Sequence, residues 1–257
     1  MFKKTRLLAG LAIGCVLSAP TALAEEYKGF YFGVWGGAGS LDLGSRDALD
    51  ELIIDALPEE LFRAGFNFSD ETQLVTFTLQ DVGDSTLDDS LSVWGVQLGY
   101  RWNQYVATEV GYANLGQATY ALPGSATFTV QTVDGIFDGL FPIPFERGIQ
   151  YTSAGPTVTV LGMLPVGPRV DLHVRGGVYL ADTRLTNRIR DLEEMQNLSH
   201  RRVDASETEL LGGIGATWSA TENLSLRAEY QRFFNVGDDT KSGEFDVDVF
   251  NLSVLFR

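Results

Sequence analysis

The chain has 257 residues, with 34 Asp and Glu against 19 Lys and Arg, and a net charge of −15 at pH 7. This acidic balance disfavours binding to nucleic acid phosphates, and a single cysteine excludes an internal disulfide. Glycine and aromatic residues are frequent and prolines are few, which is not typical of a disordered chain.

The first 24 residues have the pattern of a secretory signal peptide. An apolar run over residues 7–17 leads to a small-x-small cleavage site that ends at Ala24. The run is shorter than the ~20 residues that a membrane-spanning helix needs. Residues 12–15, ending in Cys15, could also form a lipoprotein box, but its first position lacks a bulky apolar residue. We expect residues 1–24 to be removed with their three cations, which leaves residues 25–257 with a net charge of −18, against −15 for the full chain. The three cations are Lys3, Lys4 and Arg6.

Eight later segments of about ten residues carry apolar side chains on one parity only, as tilted transmembrane strands do. In the first, residues 28–39, Phe30 and Phe32 alternate with a glycine-rich face that leaves room inside. The pattern predicts an all-β fold, an eight-stranded antiparallel transmembrane up-and-down β-barrel with long extracellular loops. The other seven segments cover about residues 91–102, 105–115, 156–164, 170–179, 209–219, 224–231 and 250–256.

The connections between these segments are of two kinds, which alternate. Tight turns occupy residues 103–104, 165–168 and 221–223. Short periplasmic turns and long outer loops are the usual plan of a membrane barrel. A soluble antiparallel sandwich also has period-2 strands, but it would show water a charged face, whereas the second face here is glycine-rich. The long connections are residues 40–90, 116–148, 182–208 and 235–243.

Three stretches carry a resemblance to a known family. They are Gly29-Phe30-Tyr31-Phe32-Gly33, the run GVQLGYRWNQYVATEVGYANLG from Gly95 to Gly116, and NLSLRAEYQRF from Asn223 to Phe233. They resemble the OmpA-like transmembrane barrel domain, in which a G-x-x-x-GY-x-x-N unit and a late L-x-x-EY strand recur. The resemblance covers all eight strands and none of the long loops, and it implies a cell outer membrane location in a Gram-negative envelope.

The resemblance has two consequences for the end of the chain. The last strand is expected to carry the signal that the barrel-assembly machinery reads, although Arg257 follows the final aromatic residue. The C-terminal peptidoglycan-binding domain of longer relatives is expected to be absent, so no cell-wall anchoring is implied. The signal residues would be Phe250, Leu252, Val254 and Phe256.

Alternation also places charges of both signs inside a lumen that is just wide enough for side chains. An unpaired ion there would cost several kcal/mol, so we expect a structural ion-pair network, with a narrow or gated solute path as the alternative. Catalysis would need a histidine base near a nucleophile, and neither inward His173 nor His200, in a loop, shows such spacing. No enzyme activity, cofactor or metal centre is expected. The lumen residues are Arg101, Glu109, Asp171, His173, Arg175, Arg227 and Glu229.

The first long loop is predicted to be folded. Apolar residues at helical spacing over residues 46–64 predict a short amphipathic helix, and the alternation over residues 73–79 predicts a hairpin above the membrane. The acids of residues 81–89 lack the spacing of an EF-hand, so a solvated acidic face is favoured over a calcium site.

The second and third loops carry apolar and basic residues. The apolar cluster at residues 136–145 could cap the barrel, pack on the first loop, touch lipid or meet a partner, and packing is favoured. The arginines of the third loop could bind lipopolysaccharide phosphates or pair with acids of the first loop. We expect a structural or surface-interaction barrel in outer-membrane lipid, with a surface ligand or host protein as a partner. A narrow pore is the alternative, and a lipid-modifying enzyme a distant one. The arginines are Arg184, Arg188, Arg190, Arg201 and Arg202.

Overall fold

In a computed structural model, four strands of the molecule have 22–27 residues and extend well beyond the ~9–11 residues of a membrane-spanning strand. The structure describes residues 28–41, 50–51, 53–55, 74–132, 135–137, 143–191, 197–238 and 243–257, so the predicted signal peptide lies outside the described residues. The strands are β1 (Gly29–Leu41), β2 (Leu74–Val82), β3 (Thr86–Asp88), β4 (Ser90–Arg101), β5 (Val106–Thr132), β6 (Gly135–Phe137), β7 (Ile143–Pro165), β8 (Val170–Asp191), β9 (Asn197–Ser219), β10 (Leu224–Asp238) and β11 (Gly243–Phe256).

Within the described residues, eight strands close into an antiparallel barrel. Neighbours follow the order β1, β4, β5, β7, β8, β9, β10 and β11, and β11 pairs with β1 to complete the ring. The three short strands β2, β3 and β6 all pair with the far part of β5. The predicted eight-stranded up-and-down barrel is therefore confirmed.

The barrel wall has an apolar outer surface and a filled interior. On β1 the side chain of Phe30 is 70% exposed and that of Tyr31 only 6%. Outward aromatic rings cluster near the turn end of the barrel, where Tyr100 lies 4.8 Å from Phe30 and 4.7 Å from Trp102 between ring centroids. Exposed apolar side chains bounded by aromatic rings are the pattern of a wall that meets lipid.

Side chains in the turns bond the backbone of the residues that follow. The Asn103 carboxamide oxygen accepts hydrogen bonds from the backbone N–H groups of Tyr105, at 2.7 Å, and Val106, at 2.9 Å. The Thr221 hydroxyl oxygen accepts from the N–H of Leu224 at 3.1 Å. Asn and Thr are suited to this role because their short side chains reach backbone groups two or three residues ahead.

The long connections predicted at residues 116–148 and 182–208 are mostly paired strand rather than irregular loop. β5 and β7 stay paired from residues 117–126 to 143–152, and β8 and β9 stay paired up to Arg190 and Asn197. Pairing satisfies the backbone groups that a loop would leave to water. Above the membrane neither face meets lipid, so these segments form strands without the apolar parity that marks a membrane strand.

The paired segments above the barrel form one open sheet, called here the extracellular sheet. It consists of residues 117–126 of β5, 143–154 of β7, 182–191 of β8 and 197–206 of β9. β2 adds to it by pairing with β5, so the strand predicted at residues 73–79 exists but pairs outside its own loop. Antiparallel sheets in water need to bury only one face.

A short helical segment lies in the first long connection. Residues 50–51 and 53–55 are helical, within the predicted helix at residues 46–64. None of the helical residues described here belongs to a helix long and apolar enough to cross a membrane.

Candidate functional site in the barrel interior and the extracellular sheet

The centre of the lumen holds one carboxylate that three side chains bond. Glu109, on β5, accepts a hydrogen bond from the Tyr31 hydroxyl at 2.6 Å. Arg227 approaches the same carboxylate at 2.7 Å through Nη1, and Arg175 approaches it at 2.7 Å through Nη2. Glu109 is 2% exposed, so these partners replace the hydration that the buried charge has lost.

Arg175 joins this carboxylate to a second one. Its Nε lies 2.6 Å and its Nη2 3.1 Å from the two carboxylate oxygens of Glu229, a bidentate arrangement. Glu229 also accepts a hydrogen bond from Gln231 at 2.9 Å and lies 3.3 Å from His173 Nε2. The two glutamates and two arginines thus form one continuous cluster across the barrel.

A third pair lies near the turn end of the lumen. Arg101 Nη1 donates to Asp171 at 2.8 Å, and its other nitrogens donate to the backbone carbonyls of Asn103 and Gln104. The seven lumen residues proposed from the sequence are all buried side by side, and their three arginines balance their three carboxylates. A structural role for this network, with a gated path as the alternative, stays a prediction.

An apolar plug fills the lumen above the ion pairs, and the sequence analysis did not identify it. Tyr179 and Phe233 are fully buried, with ring centroids 5.1 Å apart at 75°. Tyr151 packs edge-on against Phe245 at 5.4 Å and donates its hydroxyl hydrogen to the Val236 carbonyl at 2.8 Å. The same cluster includes Trp35 and Leu211, so side chains from opposite walls meet across the axis.

Interior glycines make room for the large rings. A Cβ on Gly95 would lie 2.4 Å from the ring of Trp35, and a Cβ on Gly99 would lie 2.2 Å from the ring of Tyr31. Both glycines are opposite β1 in the register, at Trp35 and Tyr31 respectively. The glycine-rich inner face predicted from the sequence therefore has a packing reason.

The extracellular sheet packs one face against the first long connection. Ile53 is 5% exposed and packs with Tyr120 and Leu122 of β5. The Asp50 carboxylate accepts hydrogen bonds from the Tyr120 hydroxyl at 2.6 Å and the Ser85 hydroxyl at 2.9 Å. Burial, and then the hydrogen bond to Asp50, raise the pKa of Tyr120 to about 12. The first connection thus packs on the second hairpin through Tyr120 and Leu122, which lie outside the apolar cluster at residues 136–145 to which the packing prediction refers.

The apolar cluster predicted at residues 136–145 is only partly described. Phe145 is fully buried, and a Cβ on Gly124 would lie 2.7 Å from its ring. The other apolar side chains of that cluster lie outside the described side chains. Packing, rather than contact with lipid, is therefore observed for Phe145.

The five arginines proposed for lipopolysaccharide do not lie on one face. Strand alternation and register place Arg184, Arg188, Arg190 and Arg202 on the face of the extracellular sheet that points away from the barrel axis. Arg201 lies opposite Asn187 on the other face.

The acids of the first loop are not the partners that the structure gives two of these arginines. Arg184 and Arg202 both pair with Asp204 of their own hairpin, at 2.9 and 3.0 Å. This corrects the prediction that offered only loop-one acids or lipopolysaccharide, and the reason is that the paired strands bring Asp204 directly opposite Arg184. The arginines hold the pKa of the exposed Asp204 carboxyl below its usual range.

Among the residues that the structure describes, no group of three or more His, Cys, Asp or Glu side chains is arranged to hold a metal ion.

Phe250, Leu252 and Phe256 are about half exposed or more on the lipid-facing side of β11, and Val254 shares their parity. Their recognition by the assembly machinery stays a prediction.

Comparison with known proteins gives one family. The model of the OmpA-like transmembrane domain matches residues 29–257. Outer membrane protein A of Escherichia fergusonii and that of Shigella dysenteriae are each 28% identical to this chain over 162 residues, 62% of this chain and 38% of each relative. The chain thus spans less than two fifths of the length of these curated relatives.

Two solved structures also resemble the fold. Neisserial surface protein A has a TM-score of 0.40 at 12% identity, and the match covers 91% of this chain and 97% of that one. The outer membrane protein OprG from Pseudomonas aeruginosa has a TM-score of 0.36 at 11% identity, with 90% of this chain and 98% of that one covered.

Proposed function

Because the chain belongs to the OmpA-like transmembrane domain family, we propose that it is a closed outer-membrane barrel whose task is carried by its extracellular sheet. In this proposal the signal peptide is removed on export, and the barrel serves as a rigid base in outer-membrane lipid. The sheet presents a surface to lipopolysaccharide and to a ligand or protein outside the cell.

The observation that carries the proposal is the double closure of the lumen. The ion pairs around Glu109 and Arg175 fill its centre, and the plug around Tyr179 and Phe233 fills its outer half. Opening a path would require breaking buried ion pairs, which costs several kcal/mol for each charge left without a partner. A lumen filled in this way favours a structural or binding role over transport.

The extracellular sheet has the order that a binding surface needs. It is paired across four strands and held on one face by Ile53, Tyr120 and the Asp50 hydrogen bonds. A surface ordered before it meets its partner loses less conformational entropy on binding than a flexible loop does. The sheet therefore supports interaction better than four long loops of coil would.

Limited trypsin digestion of the refolded protein in lipid nanodiscs tests this order. We expect the bonds after Arg147, Arg184 and Arg188 to survive, because each lies in a strand paired on both sides. Mass spectrometry of the fragments reads the result, with heat-denatured protein as the control. Rapid cleavage at these three positions in the folded protein would contradict a preformed surface.

A narrow channel is the second candidate, and it has one observation in its favour. Gln97 Nε2, Asn251 Nδ2 and His173 Nδ1 are buried and make no hydrogen bond to described protein atoms. Buried polar groups without protein partners are commonly bonded by internal water, which would give the lumen a thin wet path. Solute flux into proteoliposomes that is altered by His173→Phe would favour this channel, while its absence favours the closed barrel.

Catalysis is not part of the proposal. His173 is enclosed in the lumen beside Glu229, away from lipid substrates, and His200 is exposed on β9 of the extracellular sheet. A general base must reach the proton that it removes from a bound substrate. Turnover of a lipid or peptide that is lost in His173→Gln or His200→Gln would overturn this part of the proposal.

A further inference from the structure

The face of the extracellular sheet that points away from the barrel axis, called here the lateral face, has two cavities. Both lie among the outward side chains of β5, β7 and β8, one above the other along the strands. The register makes rows across the strands, such as Gln117, Thr152 and Arg184 in the lower cavity and Thr119, Gln150 and Thr186 in the next row. The two cavities therefore form one groove.

The lower cavity, of about 740 Å³, is lined by hydroxyl, amide and carboxylate groups. It opens where β4 leaves β5, at a register shift between Asn114 and Gln117. Gly116 has φ +81° there, and a Cβ on it would lie 2.6 Å from the Ser92 carbonyl oxygen, so only glycine fits this fork. The polar groups include Ser90, Ser92, Asn114, Gln117, Thr152 and Asp182.

A lining of this composition suits a polyhydroxyl ligand. Carboxylates and amide oxygens accept from sugar hydroxyls, while amide and hydroxyl groups of the protein can donate to sugar oxygens. The indole of Trp94 and the ring of Tyr112 lie directly below, 6.4 Å apart, at the upper limit of the lipid-facing band. The cavity is thus at the height where acyl chains give way to headgroups.

The upper cavity, of about 200 Å³, is basic. Arg188 and Arg190 lie two residues apart on one face of β8 and both line it. Ala121 and Gly148 form the row opposite Arg188, and a Cβ on Gly148 would contact nothing within 4 Å, which leaves open space beside the guanidinium. Arg188 Nε is buried and has no hydrogen-bond acceptor among the described residues.

The height of Arg188 above the lipid-facing band limits which part of a glycolipid can reach it. Arg188 is eight residues beyond Leu180, the last exposed apolar side chain of β8. Eight residues cover about 26 Å along a strand, at ~3.3 Å each, and about 20 Å in height for a tilt of about 40°. A phosphate bound there belongs to a saccharide that extends well above the acyl chains.

We propose that the lateral face binds a phosphorylated saccharide of an outer-leaflet glycolipid, with its hydroxyls in the lower cavity and its phosphate between Arg188 and Arg190. Bidentate contacts from arginine to phosphate are charge-assisted and roughly twice as strong as neutral hydrogen bonds. The glycolipid is favoured over a soluble saccharide because the groove begins at the lipid boundary and rises from it. This inference rests on the proposed surface role and names its ligand class.

One carboxylate of the upper cavity opposes the phosphate and supplies a sharp control. Glu146 lines the upper cavity and faces Arg190 across the β7–β8 pair. Its charge reduces the attraction for phosphate, so Glu146→Gln should tighten binding. Arg201→Gln also removes the charge of one arginine. Because Arg201 lies on the opposite face of the sheet, this replacement should leave binding unchanged.

The test measures binding to the refolded full chain in nanodiscs by native mass spectrometry. The probes are a lipopolysaccharide with a phosphorylated core, the same molecule with its core dephosphorylated, lipid A without the core, and a soluble phosphorylated core oligosaccharide. We expect the phosphorylated core to bind about 10-fold or more tightly than the dephosphorylated one, a factor that Arg188→Gln/Arg190→Gln removes. Native gel mobility before and after heating confirms that each variant is folded.

Each other outcome overturns a stated part. Equal binding of phosphorylated and dephosphorylated core, or loss of the preference in Arg201→Gln, would refute the phosphate site. Tight binding of lipid A alone would refute the height argument. Binding of the soluble oligosaccharide without any preference among the glycolipids would refute the glycolipid as occupant. Failure here with a trypsin-resistant sheet leaves the proposed function standing, whereas a trypsin-sensitive sheet removes that function itself.

Discussion

Replacing Glu109 by Gln should be the most damaging conservative change in the lumen. The carboxylate is bonded by Tyr31, Arg175 and Arg227, and the variant keeps the shape of the side chain while removing its charge. Arg175 retains Glu229, but the carboxylate that Arg227 pairs with is gone, and the interior gains one net positive charge. Breaking a buried pair by removing one partner costs about 3–5 kcal/mol, so we expect a loss of that size in the free energy of unfolding.

Urea unfolding of the refolded protein in lipid vesicles, followed by tryptophan fluorescence, measures this loss. Glu222→Gln is the matched control, because Glu222 is an exposed glutamate in the turn between β9 and β10, and its replacement should change the free energy by less than about 0.5 kcal/mol. The double variant Glu109→Gln/Arg227→Gln restores a neutral interior and should recover part of the loss. A Glu109→Gln variant as stable as the Glu222→Gln control would refute the claim that the buried ion pairs hold the lumen closed.

Two further predictions concern other parts of the chain. The Tyr120 phenol should titrate near pH 12, and Asp50→Asn should bring its pKa closer to 10, as read by ¹³C-tyrosine NMR. Because the folded chain keeps this proton at pH values where the unfolded chain releases it, docking of the first connection should weaken between about pH 10 and 12, and unchanged docking there would contradict the assignment. Gly99→Ala should destabilise the barrel because its Cβ would meet the Tyr31 ring at 2.2 Å, whereas Gly167→Ala meets nothing within 4 Å and should be neutral by the same unfolding assay.

Period-2 alternation predicts the membrane part of this fold because lipid imposes a rule on one face. Trp94, Val96 and Leu98 face out and Gln97 and Arg101 face in, as their parity predicts. The same rule cannot predict where β5, β7, β8 and β9 end beyond the membrane, because outside the lipid neither face of a strand has to be apolar. The segments around Thr119 and Gln150 are therefore paired strands that side-chain alternation does not predict.

The site residues also divide into those that side-chain parity predicts and those that it does not predict. The lumen charges could be identified from parity alone, because a narrow barrel brings inward side chains of all strands together. The plug was missed because Tyr151 and Val236 lie at the rim, where pairing across the axis depends on strand stagger that no local pattern contains. The division of Arg188 and Arg201 between two faces would have followed from parity once the strands were known to continue.

Single-channel recording in planar bilayers tests the central claim, the closed lumen, most directly. The refolded mature protein should insert and stay electrically silent, because Glu109, Arg175 and the plug around Tyr179 fill the interior. Arg175→Ala, which leaves Glu109 and Glu229 short of a partner, should open small conductance steps, and Arg201→Ala should stay silent. Discrete steps from the wild-type protein whose size changes in Arg175→Ala or Glu109→Ala would contradict the account and establish a pore.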